Sequence, residues 1–296
     1  MRFAADHVVV SVPASSANLG PGFDSMGLAF DLWDEIEAKA VTGPSRVVSR
    51  GEDLGHVAAG RPSLVLESAQ RALERVGAPP VNLELNCFNR IPRGKGLGSS
   101  AAAEAAGALI VRGLIANPSV LNAGRVFQLT TEFEGHPDNA APVVFGGATV
   151  AWMTGKRARV AQLQIDPAIS AVALIPDAEM ATAIARKALP TRVPHVDARF
   201  NLGRAALLVH ALTADPSLLL EATEDRLHQP YRAQMMPATG EMVAQLRAAG
   251  HAAYISGAGP AVLVLTTDPD SVPEPGGWRF LRLPLASHGG TVSRVE

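Results

Sequence analysis

Cysteine is almost missing from this chain of 296 residues: Cys87 stands alone. An internal disulfide is therefore excluded, and the lone thiol reads as a small buried hydrophobe in a reducing compartment. Aromatic residues amount to 5%, too few for the stacking platforms that hold single-stranded nucleic acid. Positive charge is not in surplus either. The 26 Lys and Arg stand against 28 Asp and Glu, so nucleic-acid binding by phosphate neutralisation is not expected. No apolar run approaches the roughly 18–20 residues of a spanning helix. The apolar start, Val8 to Val12, is too short for an export signal. Repeats, low-complexity tracts and charge blocks are absent. What these absences leave is a soluble cytoplasmic protein without membrane or nucleic-acid partners, long enough for two domains.

What is present is glycine in a telling place. Val81, Leu83, Leu85 and Cys87 alternate with Asn82, Glu84 and Asn86, the period of a half-buried strand. The stretch Ile91-Pro92-Arg93-Gly94-Lys95-Gly96-Leu97-Gly98-Ser99-Ser100-Ala101-Ala102-Ala103 follows, and an Ala-rich run to Ala116 predicts a helix ended by Pro118. Strand, glycine loop and helix N-terminus together make an anion site. The first amides of a helix have no internal partner, and its dipole adds about half a positive charge. Ser99 and Ser100 add hydroxyls, and Lys95 adds a charge read here as reaching phosphate. The loop is neither a Walker A sequence, because Lys95 precedes Gly96, nor a Rossmann fingerprint, because the spacing is GxGxG. A plain strand-to-helix turn is the bland alternative.

Elsewhere the chain offers polar clusters and punctuated elements. Residues 12–30 read as a structured polar loop with Ser15, Ser16, Asn18 and Asp24. Asp31 to Val41 reads as a strand or edge segment, and Gly43 to Gly60 as irregular. A helix is expected after Pro62-Ser63, and another from Gly124 to Glu134. Behind the second lie Glu132, Glu134, His136, Asp138 and Asn139, where carboxylates suit magnesium. Val143 to Trp152, Val160 to Ile165 and Ala171 to Ile175 read as strands. Helices are expected near Thr182 to Ala188, Ala198 to Leu212, Leu218 to Leu227 and Glu241 to Ala249. A strand, a glycine turn at Gly257 to Pro260 and a second strand close the readable part.

Three of these segments, VPASSANLGPGFDSMGLAF, IPRGKGLGSSAAA and ISGAGPAVLVL, resemble in order the three motifs of the GHMP small-molecule kinases. GHPDNAAPVVFGG, ARKALP and DRLHQPYR bring the likeness closest to members acting on homoserine. The resemblance implies an α+β fold of two domains. The N-terminal one (1–150) would be ribosomal-protein-S5-domain-2-like and carry the ATP loop. The C-terminal one (151–296) would be a ferredoxin-like α/β sandwich, with the active site in the interdomain cleft. It implies ATP-dependent phosphorylation of the L-homoserine side chain, on the route to threonine, by a homodimer.

Carried over residue by residue, the resemblance assigns ATP to Pro92, Arg93, Gly94, Lys95, Gly96, Leu97, Gly98, Ser99, Ser100, Ala101 and Ala102, backed by Gly257 and Gly259. Mg2+ falls to Ser99 and Glu132, with Glu134 as substitute. The amino acid falls to Asn18, Asp24, His136, Arg186 and Arg232. Arginine suits a carboxylate and Asp24 an ammonium. Asn139 and Thr182 fall near the reacting groups, and Asp138 stands where related kinases place a base. Rival readings are a kinase of the same fold for mevalonate or a sugar, a non-catalytic sensor, and an NAD-dependent oxidoreductase.

Overall fold

The structure, a computed structural model, describes residues 2–52 and 62–295. Alternating side chains in the first forty residues build two long antiparallel strands, β1 (His7–Asn18) and β2 (Gly22–Val41). Val8, Val10 and Val12 are fully buried on one face, as the two-residue period requires. The expected polar loop over residues 12–30 is therefore corrected. Only residues 19–21 leave the strands, and Pro13 is accommodated at a bulge where the register shifts. Asp31 to Val41 is not an edge segment, because β2 pairs with β1 on one side and with β4 (Asn82–Asn89) on the other. β3 (Arg46–Gly51) runs parallel to β4, inside a stretch expected to be irregular. Residues 53–60 of that stretch lie outside the described residues.

Helices cover this sheet. α1 (Leu64–Arg75) is capped by the Ser63 hydroxyl, which accepts from the Leu66 amide. α2 (Ser99–Leu114) is the expected Ala-rich helix, with Ala101, Ala102, Ala105 and Ala106 buried. α3 (Ala123–Glu134) is capped by Asn122 and stops at Gly135, whose φ is 86°. α4 (Ala140–Phe145) occupies part of the strand expected from Val143 to Trp152. A short apolar run is buried in either conformation, so periodicity does not separate the two. The chain then returns to the sheet as β5 (Ala148–Thr154) and β6 (Arg157–Leu163).

The second sheet has the order β10 (Arg279–Leu283), β7 (Ser170–Ile175), β9 (Val262–Thr266), β8 (Ala252–Ile255), all antiparallel. Its residues alternate between two clusters. Val172 and Leu174 pack with Leu246 on one face, while Ala171 and Ala173 join the main core with Leu208 and Leu212 on the other. Helices α5 (Thr182–Lys187), α6 (His195–Thr213), α7 (Leu219–Ala222), α8 (Gln229–Met235) and α9 (Pro237–Ala248) complete this half. The helix expected from Leu218 to Leu227 is cut short at Ala222. Asp225 turns the chain by accepting the amides of Leu227, His228 and Gln229. β11 (Thr291–Arg294) travels back to pair with β1. A division at residues 150/151 would thus cut β5, and the first sheet draws on both ends of the chain. Among the described residues no helix is long and apolar enough to cross a membrane.

The placement of α2 depends on small residues. Its Gly107 lies against α1: a Cβ there would stand 2.6 Å from the Ala69 nitrogen and from the Ser68 Cβ. The Ser68 hydroxyl donates to the Glu104 carbonyl at 2.6 Å across the same contact. Gly107→Ala is expected to cost about 1–3 kcal/mol through overpacking. Chemical denaturation checks this, and a wild-type midpoint would contradict the close approach.

Candidate active site

The loop between β4 and α2 is held by its carbonyls. The Gly94 carbonyl accepts from the Met180 amide (3.1 Å), Lys95 from Ala261 (3.0 Å), Leu97 from Ser15 (3.1 Å) and Gly98 from Ala102 (2.9 Å). The Gly96 carbonyl accepts from the Ser256 hydroxyl at 2.6 Å. By contrast, the amides of residues 94–101 donate no hydrogen bond to the described residues. Five consecutive carbonyls are bound to scaffold, and the amides are left for something else. A run of free amides at a helix N-terminus is an anion cradle. Glycine is required at two points. At Gly96 (φ 83°) a Cβ would stand 2.2 Å from the Ser256 carbonyl oxygen, and at Gly98 (φ 70°) 2.0 Å from the Ser15 hydroxyl.

The cradle opens into a cleft of about 190 Å³ between the two sheets. One wall is Asn18, Asp24, Glu134, His136, Asp138 and Asn139, and the other is Thr182, Arg186, Arg232, Gly257 and Gly259. All the residues expected to meet the amino acid, and all three expected near the reacting groups, line this one space. Gly94, Gly96, Gly98, Ser99 and Ser100 form its floor. Leu97, Ala101 and Ala102 are buried beneath and shape the loop from below. Pro92 is buried as well, and Arg93 lines a separate crevice with Asp34 and Asn89.

Two expectations are corrected. Lys95 does not face the cleft: its Nζ donates to the carbonyls of Pro176 (3.0 Å), Asp177 (2.5 Å) and Ala178 (2.7 Å). Glu132 is not at the site. It pairs with Arg75 at 2.8 Å, accepts from Gln128 and lines a groove elsewhere. Two residues along a helix turn a side chain through about 200°, so Glu134 takes the cleft-facing position.

The electrostatics are uneven. Arg186 grips Asp24 with both terminal nitrogens, at 3.0 and 2.9 Å, and that hydrogen bond holds its guanidinium in the charged form. Arg232 is different. It is 2% exposed, and burial pushes its pKa down. Its Nη1 donates to the Gly257 carbonyl (2.6 Å) and to His228 Nδ1 (3.2 Å), while its Nε has no partner. Among the described residues no carboxylate is paired with it. The Phe23 ring lies 5.4 Å from the Arg232 guanidinium and 5.9 Å from that of Arg186.

Behind Arg232 is a support that the sequence did not reveal. His228 is wholly buried, stacked on Phe23, and its Nε2 donates to the Gly20 carbonyl at 2.7 Å. That bond fixes the tautomer and leaves Nδ1 to accept from Arg232. Burial lowers the pKa of His228, which keeps it neutral. Asp225 holds the His228 backbone, and Asn201 donates to Asp225 at 2.9 Å. Only the DRLHQPYR spacing could have signalled this.

Opposite lies a string of acids. Burial opposes the charge on His136, but the hydrogen bond to Asp138 and the charges of Asp138 and Glu134 outweigh it, so its pKa is pushed up to about 9. Asp138 Oδ1 accepts from His136 Nδ1 (2.5 Å) and from the Asn139 amide (2.9 Å). Asn139 Oδ1 accepts from the Ser15 hydroxyl at 3.0 Å. Burial raises the pKa of Glu134, with His136 as its nearest charged partner at 3.7 Å. Glu104, on α2 beneath them, has an unpartnered Oε2, and burial pushes its carboxyl up to about 8.

Family profiles match both halves of the chain: "GHMP kinases N terminal domain" over residues 63–147 and "GHMP kinases C terminal" over residues 206–274. Homoserine kinase of Clavibacter michiganensis is 44% identical, across 98% of this chain and 95% of its own. That of Mycobacterium ulcerans is 49% identical, across 89% and 86%. The crystal structure of homoserine kinase from Cytophaga hutchinsonii superposes with a TM-score of 0.82 at 25% identity, covering 99% of both chains. Mevalonate diphosphate decarboxylase from Staphylococcus aureus shares the fold at 13% identity and a TM-score of 0.66.

Glu104 yields a pH test. Folding raises its pKa from 4.5 to about 8, so the folded state keeps a proton that the unfolded chain releases. Its contribution is complete below pH 4.5 and lost as pH rises through 8. The loss is on the order of a few kcal/mol. Glu104→Gln, neutral at every pH, is expected to flatten the fall in melting temperature between pH 5 and 8. Parallel pH profiles for variant and wild type would contradict this.

Proposed function

The chain belongs to the homoserine kinases of the GHMP kinase family, and from that premise we propose that it moves the γ-phosphoryl group of ATP to the side-chain hydroxyl of L-homoserine. The product is O-phospho-L-homoserine, on the route to threonine. The observation that carries the acceptor is Arg232, a buried guanidinium lining the cleft with Nε unpartnered and no carboxylate in ion-pair contact, the charges of Asp24, Asp138 and Asp225 reaching it only from farther off. A charge buried that way is costly unless a ligand anion answers it, and an α-carboxylate is such an anion. The Asp24–Arg186 pair offers one charge to each end of a zwitterion.

Phosphoryl transfer asks for positioning and charge neutralisation more than for covalent help from the protein. In this reading the amides of residues 94–101 hold the phosphates and stabilise the charge that gathers on them. Ser99 and Glu134 would hold Mg2+. Both line the cleft, both offer the oxygen donors that a hard cation prefers, and the buried Glu134 carboxylate has only His136, at 3.7 Å, as a cationic neighbour. Among the described residues no group of three acidic, His or Cys side chains makes a metal site alone. When bound, the ion supplies charge neutralisation at the phosphates. Asn139 and Thr182 then stand beside the acceptor hydroxyl. Asp138 is read as a holder rather than a base, because one of its oxygens already accepts from His136 and from the head of α4. The same reading makes the protein a cytoplasmic homodimer.

A coupled ADP-release assay with homoserine, threonine, serine and mevalonate tests the reading. The expected outcome is turnover that is fastest by far with homoserine. Preference for mevalonate would replace the acceptor and keep the kinase, and absence of ADP release with every alcohol would remove both. Asp24→Asn is expected to raise the KM for homoserine roughly tenfold or more while that for ATP changes little. Equal effects on both would count against the ammonium contact.

A further inference from the structure

Lys95 lies among the glycines of the phosphate loop, yet its side chain points away from the cleft. An ammonium has three protons to give, and here three backbone carbonyls, those of Pro176, Asp177 and Ala178, lie within 3.0 Å of it. The neighbouring Gly94 carbonyl accepts from the Met180 amide on the same seam. Main chain and side chain of residues 94–95 therefore clasp residues 176–180 together. Those residues leave β7 and lead directly into Thr182 and Arg186, which line the opposite wall of the cleft.

That leading segment has little else to hold it. Residues 177–184 are mostly exposed, and α5 buries only Ala185. Among the described residues, residues 176–190 are hydrogen-bonded to the rest of the chain through Lys95, Gly94 and the Arg186–Asp24 pair alone. One anchor belongs to the phosphate loop, the other to the acceptor wall.

We infer that Lys95 is a positioning residue, whose ammonium ties the phosphate loop to the segment bearing Thr182 and Arg186, so that seating the nucleotide fixes the acceptor side of the cleft. This rests on the kinase reading for its vocabulary, yet its geometry is independent of which alcohol is phosphorylated. Lys95 acts through backbone carbonyls and touches neither substrate.

The test uses the full-length protein and Lys95→Met, which keeps the chain length and removes the donors, with Lys95→Arg as the conservative partner. In the wild type, a non-hydrolysable ATP analogue without homoserine is expected to slow amide hydrogen exchange across residues 176–190. In Lys95→Met that protection is lost. The KM for homoserine rises roughly ten- to a hundredfold, the worth of charged hydrogen bonds, while that for ATP stays within about twofold. Lys95→Arg restores most of both. A rise confined to the KM for ATP would overturn the inference in favour of a phosphate contact, and unchanged kinetics and exchange would overturn it outright. Should Lys95→Met fail to fold, the wild-type exchange experiment decides alone, because unprotected residues 176–190 with bound nucleotide contradict the coupling. If homoserine is not the acceptor, nucleotide-driven protection and its loss in Lys95→Met still appear, so that failure is told apart from this one.

Discussion

Five carbonyls in a row decide the character of this cleft. From Gly94 to Gly98 each accepts a hydrogen bond from a different part of the fold: the lead into α5, the strand after the second glycine turn, Ser256, β1 and α2 itself. A peptide group whose oxygen is anchored on one side presents its N–H on the other. The cradle is therefore an outcome of tertiary packing as much as of glycine content. It also explains why Gly96 and Gly98 tolerate no side chain, since the anchors sit where a Cβ would be. The Ser16–Ser256 hydroxyl contact at 2.9 Å and the Asn18–Gly257 bond at 3.0 Å draw β1 to the second glycine turn. The three sequence motifs are in effect one hydrogen-bonded unit.

The acceptor side obeys a complementary rule. There the fold holds a guanidinium out of water and orients it through a neutral histidine. Gly20, His228 and Arg232 form a relay in which His228 donates to Gly20 and accepts from Arg232, which also donates to Gly257, and Asp225 with Asn201 keeps the relay in place. On the far wall the order is reversed: the cation His136 is ringed by the carboxylates of Asp138 and Glu134. Under the proposed function, a small zwitterion with a hydroxyl would meet cations, carboxylates and polar amides within this one enclosure.

Much of this was legible in the sequence wherever the signal is local. The alternation of Leu83, Leu85 and Cys87, the glycine spacing and the alanine run placed strand, loop and helix correctly, because side-chain period and backbone freedom act over a few residues. The wall residues Asn18, Asp24, His136, Arg186 and Arg232 were reachable through the family likeness. What escaped depends on distant pairing or on helical phase. Residues 12–30 looked like a loop because Pro13, Gly20, Pro21 and Gly22 punctuate them, although the two halves pair with each other, Ala14 with Phe30 and Ala17 with Gly27. Glu132 and Glu134 differ only in the direction a helix end points. Lys95 finds its partners more than eighty residues away, and His228 reads as an ordinary polar residue until Gly20 is brought to it. β11 carried no motif: it completes a sheet begun at the other terminus, and its Arg294 donates to the Gly113 and Ile115 carbonyls at the end of α2.

The claim on which the rest turns is that the free amides of residues 94–101 are the phosphate-binding surface. Backbone amide chemical-shift mapping during titration with a non-hydrolysable ATP analogue measures it most directly. The expected result is that the largest perturbations fall on the amides of Gly94 to Ala101. Saturable binding that leaves those amides unmoved while others shift would contradict the account.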